Sequence, residues 1–189
     1  MKKICIVGAP STGKTTLANA LTEELKKKGH KVKWAKEYVR DFILEQGPPK
    51  GIKDQLLIAR GQKTREKEAE IKNPEFMVCD CATFLCYVYC FLHKPKEEEK
   101  LSGYNEILEE IWQEVEDGIY NYDYVFFLPP EISFKENGVR IYAEKVNEIS
   151  DQIKDFLISQ NIEYHEIRGN IEKRIEVVTR ILKNKNPNK

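Results

Sequence analysis

The residues with the clearest chemical potential lie near the start of the chain, in the stretch "GAPSTGKTT" at 8–16. Gly8, Gly13, Lys14 and Thr15 satisfy the pattern GxxxxGK[ST], between an apolar run and a helical pattern. Glycines let the backbone N–H groups of such a loop point inward at a polyphosphate, and the following helix adds partial positive charge. In this chemistry Lys14 reaches the β- and γ-phosphates and the Thr15 hydroxyl ligates Mg²⁺. The pattern therefore predicts binding of ATP or a related triphosphate with Mg²⁺.

The frame around this loop is predicted from alternating strand and helix patterns. Five strands are predicted, at 2–8, 31–37, 75–80, 122–130 and 162–168. Helical patterns separate them, which predicts parallel pairing and a three-layer α/β P-loop NTPase fold with a five-stranded parallel sheet. The length of 189 residues predicts a single domain over 1–189. Because ligands bind at the carboxyl ends of parallel strands, the residues that follow each strand are the next candidates.

Charged residues follow the second and third strands. Asp80 ends the third strand, where a carboxylate can order the Mg²⁺ shell or take the proton of an acceptor hydroxyl. A simple helix N-cap is the alternative for this residue. We expect Glu37 and Arg40, after the second strand, to hydrogen-bond a sugar and a phosphate, with a surface ion pair as the alternative. These positions predict an acceptor beside the phosphate loop.

Two later loops are predicted to complete the site. The loop at 129–141 has a hinge at Gly138 and a basic end at Arg140, which is typical of a lid that excludes water and brings an arginine to the transferred group. Lys135 is a second cation there, and an ordinary polar loop is the alternative. The turn "RGN" at 168–170 is expected either to pack against the nucleotide base or to be a structural turn. The predicted nucleotide contacts are Gly8, Pro10, Ser11, Thr12, Gly13, Lys14, Thr15, Thr16, Gly169 and Asn170.

The composition and the net charge limit the classes of partner that the protein is expected to bind. Lys and Arg together number 31, as do Asp and Glu, so no net basic field recruits nucleic acid. No apolar run is long enough to cross a bilayer and no signal-peptide cleavage pattern follows the first strand, which predicts a cytoplasmic protein without a membrane partner. The GTPase motif Asn-Lys-x-Asp after a strand is absent. We expect a disordered tail at about 184–189. The sequence leaves open whether the protein forms a homo-oligomer.

The five cysteines are an odd number in a chain without a secretory signal, which favours reduced thiols over disulfides. A metal cluster is the competing interpretation for Cys79, Cys81, Cys86, Cys90 and His93. Their spacing lacks the paired CxxC pattern of structural zinc sites. Buried free thiols packed among aromatic side chains are therefore the favoured interpretation.

With these pieces in place, the chain resembles the ribosylnicotinamide kinase domain of the bacterial NadR regulators and related small P-loop ATPases. The resembling stretches are "GAPSTGKTTLA" (8–18), "KEYVRDF" (36–42), "ARGQ" (59–62), "FMVCD" (76–80), "YDYVFFLPPEISFKENGVR" (122–140) and "HEIRGNIEKRIEVV" (165–178). The first stretch is common to many families, whereas "EYVR" combined with the "ENGVR" lid is far more specific. The likeness runs over nearly the whole chain.

The resemblance implies a role for each matching residue. Lys14 and Thr15 become the ATP and Mg²⁺ contacts, Asp80 the catalytic carboxylate and Mg²⁺ ligand, and Arg140 the catalytic lid arginine. The acceptor-binding residues it implies are Glu37, Arg40 and Gln62.

The lid departs from the family pattern. It has Phe134 where the family often has tryptophan, and Glu136 and Asn137 where it has two aspartates. No DNA-binding or adenylyltransferase part accompanies the domain, so the regulatory role does not transfer. These departures weaken the prediction of the acceptor's identity more than they weaken the prediction of phosphoryl-transfer chemistry.

The combined prediction is an ATP- and Mg²⁺-dependent kinase that phosphorylates a small molecule. A nucleoside is the leading acceptor, with nicotinamide riboside first, and a nucleoside monophosphate is second. The contrasting hypothesis is a regulatory P-loop ATPase or nucleotide-binding module that has no small acceptor.

Overall fold

The computed structural model describes residues 1–93, 98–131 and 143–184. Its five strands are β1 (Lys2–Val7), β2 (Val32–Ala35), β3 (Phe76–Asp80), β4 (Tyr124–Phe127) and β5 (His165–Glu166). They form one sheet in the order β2-β3-β1-β4-β5, and every adjacent pair is parallel. The predicted five-stranded parallel sheet is confirmed, and the phosphate loop follows its central strand.

Helices connect the strands and cover both faces of the sheet. Among the described residues they are α1 (Lys14–Lys27), α2 (Val39–Gln46), α3 (Ile52–Ile71), α4 (Leu85–Cys90), α5 (Glu98–Ile119), α6 (Val146–Ser159) and α7 (Ile171–Asn184). No helix in this part of the chain is both long and apolar enough to cross a membrane.

The alternation of side chains along β1 divides the core into two layers. Ile4 and Ile6 pack on the face that α1 and α7 cover. Cys5 and Val7 point to the opposite face, which α3, α4, α5 and α6 cover. All four side chains are fully buried, and burying one isoleucine side chain contributes about 1.5–3 kcal/mol. This double coverage fixes the central strand, and with it the start of the phosphate loop.

Several predicted boundaries differ from those in the structure. The apolar stretch after β3 forms only the short α4, followed by a 3₁₀ turn at Phe91–His93. The last strand, predicted over 162–168, pairs with β4 only at His165 and Glu166. The helix predicted over 141–160 is α6, which begins at Val146. Residues 94–97 and the tail residues 185–189 lie outside the described part of the chain.

Candidate nucleotide and acceptor site

The loop between β1 and α1 has a backbone that only certain residues allow. Gly8 has φ 153°, and a Cβ there would lie 2.5 Å from the carbonyl oxygen of Leu128. Gly13 has φ 92° and directly precedes α1. Ser11 has φ 68°, a left-handed conformation that is uncommon for a residue with a side chain. The main chain at Gly8 thus lies very close to the Leu128 carbonyl that follows β4. The loop therefore has the tight curvature that a phosphate cradle requires.

Lys14 and Thr12 are held by the loop that precedes them. Lys14 is buried, and its Nζ donates a hydrogen bond to the Ala9 carbonyl at 2.9 Å. Thr12 Oγ1 donates to the same carbonyl at 2.9 Å. The ammonium group thus lies over the cradle at the amino end of α1, where positive charge attracts phosphate.

Asp80 lies directly beside the phosphate loop. It is opposite Ile6 in the β1–β3 pair, at the same carboxyl edge of the sheet as Gly8. The side chain is 1% exposed, and its Oδ1 has no hydrogen-bond partner among the described residues. The side chain of Thr15 lies near this carboxylate and lowers its pKa. Spare carboxylate and hydroxyl oxygens are the ligands that Mg²⁺ prefers, so the residues present fit this metal.

The environment of Asp80 changes its acidity. Burial, and then the negative charge of Glu37, raise the pKa of this carboxyl from 3.8 to about 6. The Thr15 side chain and the positive charges of Lys14 and Arg40 lower the pKa but do not cancel that rise. The group is therefore ionised at neutral pH and more basic than an ordinary aspartate.

Glu37 and Arg40 form the ion pair that was the alternative interpretation, and they also reach the site. Arg40 Nε donates to Glu37 Oε2 at 3.1 Å, while Arg40 Nη2 donates to Thr15 Oγ1 at 2.8 Å. The two residues therefore line the passage between the phosphate loop and the space beneath α2. Their predicted contacts with a sugar and a phosphate stay predictions.

A cleft of about 460 Å³ joins these groups to a second, apolar compartment. Its phosphate end is lined by the 10–16 loop, its middle by Glu37 and Arg40. The far end is lined by Val39, Ile43, Leu44, Pro49, Gln55, Ile58, Cys81, Leu85, Cys86 and Tyr89. Gln55 is 3% exposed and supplies an amide to this otherwise apolar wall. A larger groove of about 910 Å³ between α4, α5 and α6 contains none of the predicted site residues.

Gln62 lies behind the cleft rather than in its wall. It is 2% exposed, and its Oε1 accepts a hydrogen bond from the Tyr38 N–H at 2.8 Å. Its Nε2 is buried without a partner in the described part of the chain. The predicted contact of Gln62 with an acceptor stays a prediction.

The turn at 168–170 is connected to the phosphate loop through α7. Gly169 has φ 95°, and its N–H donates to Glu131 Oε2 at 2.8 Å. Asn170 Oδ1 accepts from the Lys173 N–H at 3.0 Å at the start of α7, which is the structural-turn alternative. Contacts of Gly169 and Asn170 with a nucleotide base stay predictions.

Sequence reasoning missed the link between this turn and the phosphate loop. Arg174, which is 2% exposed, donates from Nη1 to the Thr12 carbonyl at 2.6 Å and from Nη2 to Glu131 Oε2 at 3.3 Å. Gln55 was missed as well. Both Arg174 and Gln55 are single polar residues in helices that mix polar and apolar side chains. No local spacing distinguishes them from the other polar residues of those helices.

Of the predicted lid at 129–141, the structure describes only Pro129, Pro130 and Glu131. Lys135, Gly138 and Arg140 lie outside the described residues, as do the departures at Phe134, Glu136 and Asn137. The role of Arg140 in the lid therefore stays a prediction.

The cysteines are all free, and four of them are buried, while Cys81 is half-buried in the cleft wall. Burial raises the pKa of the Cys90 thiol to about 12. No group of three or more His, Cys, Asp or Glu that could hold a metal occurs within the described ranges. The thiols pack as small apolar groups in the core.

A family model described as an AAA domain matches residues 3–174. The chain belongs to this family. No curated protein sequence matches it. The AAA-domain family match and the folds of similar solved structures confirm the resemblance to P-loop kinases of the NadR and nucleoside-kinase type.

Solved structures share the fold of this AAA-domain chain at low identity. NadR protein in complex with NAD and AMP-PNP is 16% identical with a TM-score of 0.78, and the match covers 100% of this chain and 50% of that one. NadR protein in complex with NR is 17% identical with a TM-score of 0.76, covering 100% and 51%. Deoxyadenosine kinase from M. mycoides is 15% identical with a TM-score of 0.68, covering 96% and 99%. The chain thus spans about half the length of the two NadR structures and has a nucleotide-kinase-like fold.

Proposed function

We propose that this AAA-domain protein is a small-molecule kinase that transfers the γ-phosphoryl group of ATP to a nucleoside, with nicotinamide riboside as the first candidate. The observation that carries the proposal is the cleft itself. It joins the phosphate loop, and Cys81 next to Asp80, to a largely apolar compartment that contains one buried amide, Gln55. A regulatory ATPase without a small acceptor would not require that second compartment.

In the proposed reaction the protein's own groups bind and orient both substrates. The backbone N–H groups of the loop and Lys14 hold the triphosphate, while Glu37 and Arg40 orient the acceptor sugar. Asp80 accepts the proton of the acceptor hydroxyl while the oxygen of that hydroxyl bonds to the γ-phosphorus. The bond from that phosphorus to the β–γ bridging oxygen breaks, and ADP leaves. Arg140 is proposed to stabilise the charge of the transferred group.

Mg²⁺, held by Thr15 and positioned by Asp80, would neutralise charge on the phosphates when it is bound. The oxygen ligands and the buried Oδ1 of Asp80 support this assignment. The requirement for Mg²⁺ is part of the proposal.

The charge of the described cleft favours an acceptor without a phosphate group over a nucleoside monophosphate, the second candidate. Among its described lining residues, Lys14 and Arg40 are the cations, and Arg40 is already paired with Glu37. A phosphate monoester carries nearly two negative charges near neutral pH and is usually bound by several cationic donors. A nucleoside requires no such charge and suits the apolar far wall.

The experiment is an ADP-release assay with ATP, Mg²⁺ and a panel of nucleosides, nucleoside monophosphates and no acceptor. We expect release that depends on a nucleoside, with nicotinamide riboside most active. Lys14→Ala should abolish it, because the loop loses its phosphate-binding ammonium group. Lys26→Ala, an exposed lysine of the same helix, is the matched control and should retain activity. Slow hydrolysis that ignores every acceptor would refute the kinase proposal in favour of the regulatory ATPase.

A further inference from the structure

One face of α3 contacts both loops that carry the proposed acceptor-side groups. The first of these is the segment of Glu37 and Tyr38, which leads into α2. Gln62 Oε1 accepts the Tyr38 N–H at 2.8 Å, and Arg65 Nη1 donates to the Glu37 carbonyl at 3.0 Å. Both bonds end on the main chain of the loop, so they fix its backbone rather than a mobile side chain.

The ring of Tyr38 adds packing to these hydrogen bonds. The Arg65 guanidinium lies over this ring, 4.9 Å from its centroid, and also pairs with the Asp41 carboxylate. On the same helix face, a Cβ at Gly61 would lie 2.3 Å from the Tyr38 ring. A glycine is therefore required for the close approach of the ring, and Gly61 and Gln62 form the surface on which Tyr38 packs.

The second contact is with the loop after β3. Glu66 is 5% exposed and accepts from Thr83 Oγ1 at 3.0 Å, three residues after Asp80. Glu66 also accepts from the Tyr122 hydroxyl at 3.0 Å and pairs with Lys3 Nζ at 2.8 Å. Its buried carboxylate is thus held between the sheet and the loop that follows Asp80.

The geometry of the helix makes these two contacts dependent on each other. Gln62 and Glu66 are four residues apart, so they lie one above the other on one face of α3. A buried charged group is a weak source of net stability, but its fixed partners specify one arrangement. Any shift of α3 would therefore move the loop of Glu37 and the loop of Asp80 together.

From these contacts we infer that α3 acts as a positioning element for the acceptor side of the site, through Gln62, Arg65 and Glu66. None of the three contacts the reacting atoms in this role. They set the separation between the segment of Glu37 and Tyr38 and the loop after Asp80, and hence the position of an acceptor hydroxyl relative to the phosphate loop. The inference rests on the proposed kinase function.

The first test compares two arginines of the same helix. Arg65→Met removes the bond to the Glu37 carbonyl, and we expect kcat/KM for the acceptor to fall about 10- to 100-fold while KM for ATP changes less than about twofold. Arg65→Lys keeps the charge and should recover part of the loss. Arg60→Met is the matched control, because Arg60 is exposed and pairs only with Glu110 and Glu114 of α5 among the described residues. It should leave both constants unchanged.

The second test does not depend on activity. In Gln62→Leu the Tyr38 amide loses its acceptor, so hydrogen exchange at Tyr38 should accelerate at least about tenfold while exchange in α1 stays unchanged. If wild-type protein phosphorylates no acceptor, the proposed function fails and the exchange result still tests the contact. Faster exchange together with unchanged acceptor kinetics in active Gln62→Leu would overturn the positioning role. Unchanged exchange would overturn it as well.

Discussion

Asp80 offers a direct test of the electrostatics of the site, because its folded pKa of about 6 lies above the ordinary value of 3.8. Between these two values the folded protein binds the proton more tightly than the unfolded chain does. Stability is therefore greatest in acid and falls as the pH rises across this window. The pKa difference corresponds to a penalty of about 3 kcal/mol at about pH 7.5 and about 1 kcal/mol at about pH 4.5.

Asp80→Asn replaces the carboxylate by a neutral group of the same shape and removes this penalty. We expect the variant to exceed the wild type in free energy of unfolding by about 3 kcal/mol near neutral pH and by about 1 kcal/mol near pH 4.5. Turnover should fall strongly, because the proposed proton acceptor is lost. Such a gain in stability with a loss of function is common at sites that hold a strained or desolvated group.

The assay is urea unfolding at the two pH values, with chelator present so that no metal contributes. Asp151→Asn, at an exposed position of α6, is the matched control and should match the wild type at both pH values. Equal differences between Asp80→Asn and wild type at the two pH values would refute the desolvation of Asp80.

Three further substitutions test other parts of the site. In Gly8→Ala the new Cβ would lie 2.5 Å from the Leu128 carbonyl oxygen, so calorimetry should show nucleotide affinity reduced at least about tenfold; unchanged affinity would contradict the cradle. Arg174→Met removes the donor to the Thr12 carbonyl, and steady-state kinetics should show KM for ATP raised about tenfold with the acceptor KM unchanged. A rise in the acceptor KM alone would count against it. Gln55→Leu keeps the side-chain volume but loses the amide. The KM for the acceptor should therefore rise about tenfold or more while the KM for ATP stays constant. Equal acceptor KM values in the variant and the wild type would exclude Gln55 from acceptor recognition.

The fold and the phosphate loop could be predicted from the sequence because both depend on neighbouring residues. Strands that are buried on both faces, such as β1 and β3, appear as short apolar runs, and all five predicted strands lie in one parallel sheet. The loop conformation is dictated by Gly8 and Gly13, which lie within six residues of each other in the pattern GxxxxGK[ST]. Asp80 could be placed because the carboxyl ends of neighbouring parallel strands share one edge.

The remaining parts depend on contacts between distant segments, which no local pattern encodes. Arg174 and Thr12 are 162 positions apart, and a buried arginine has the same letter in the sequence as an exposed one. Gln55 lines the cleft only because α3 packs against the segment that follows β2. Strand ends were also missed, since the last strand pairs with β4 alone and only at His165 and Glu166.

The bond between Arg174 and the Thr12 carbonyl has a consequence for how the protein is made. During translation the phosphate loop leaves the ribosome before α7 does, since Thr12 precedes Arg174 by 162 positions. A nascent chain that stops before Arg174 contains the whole loop sequence but lacks the side chain that supports its main chain. Firm retention of nucleotide should therefore begin only when α7 has docked, which makes it a marker of completed folding.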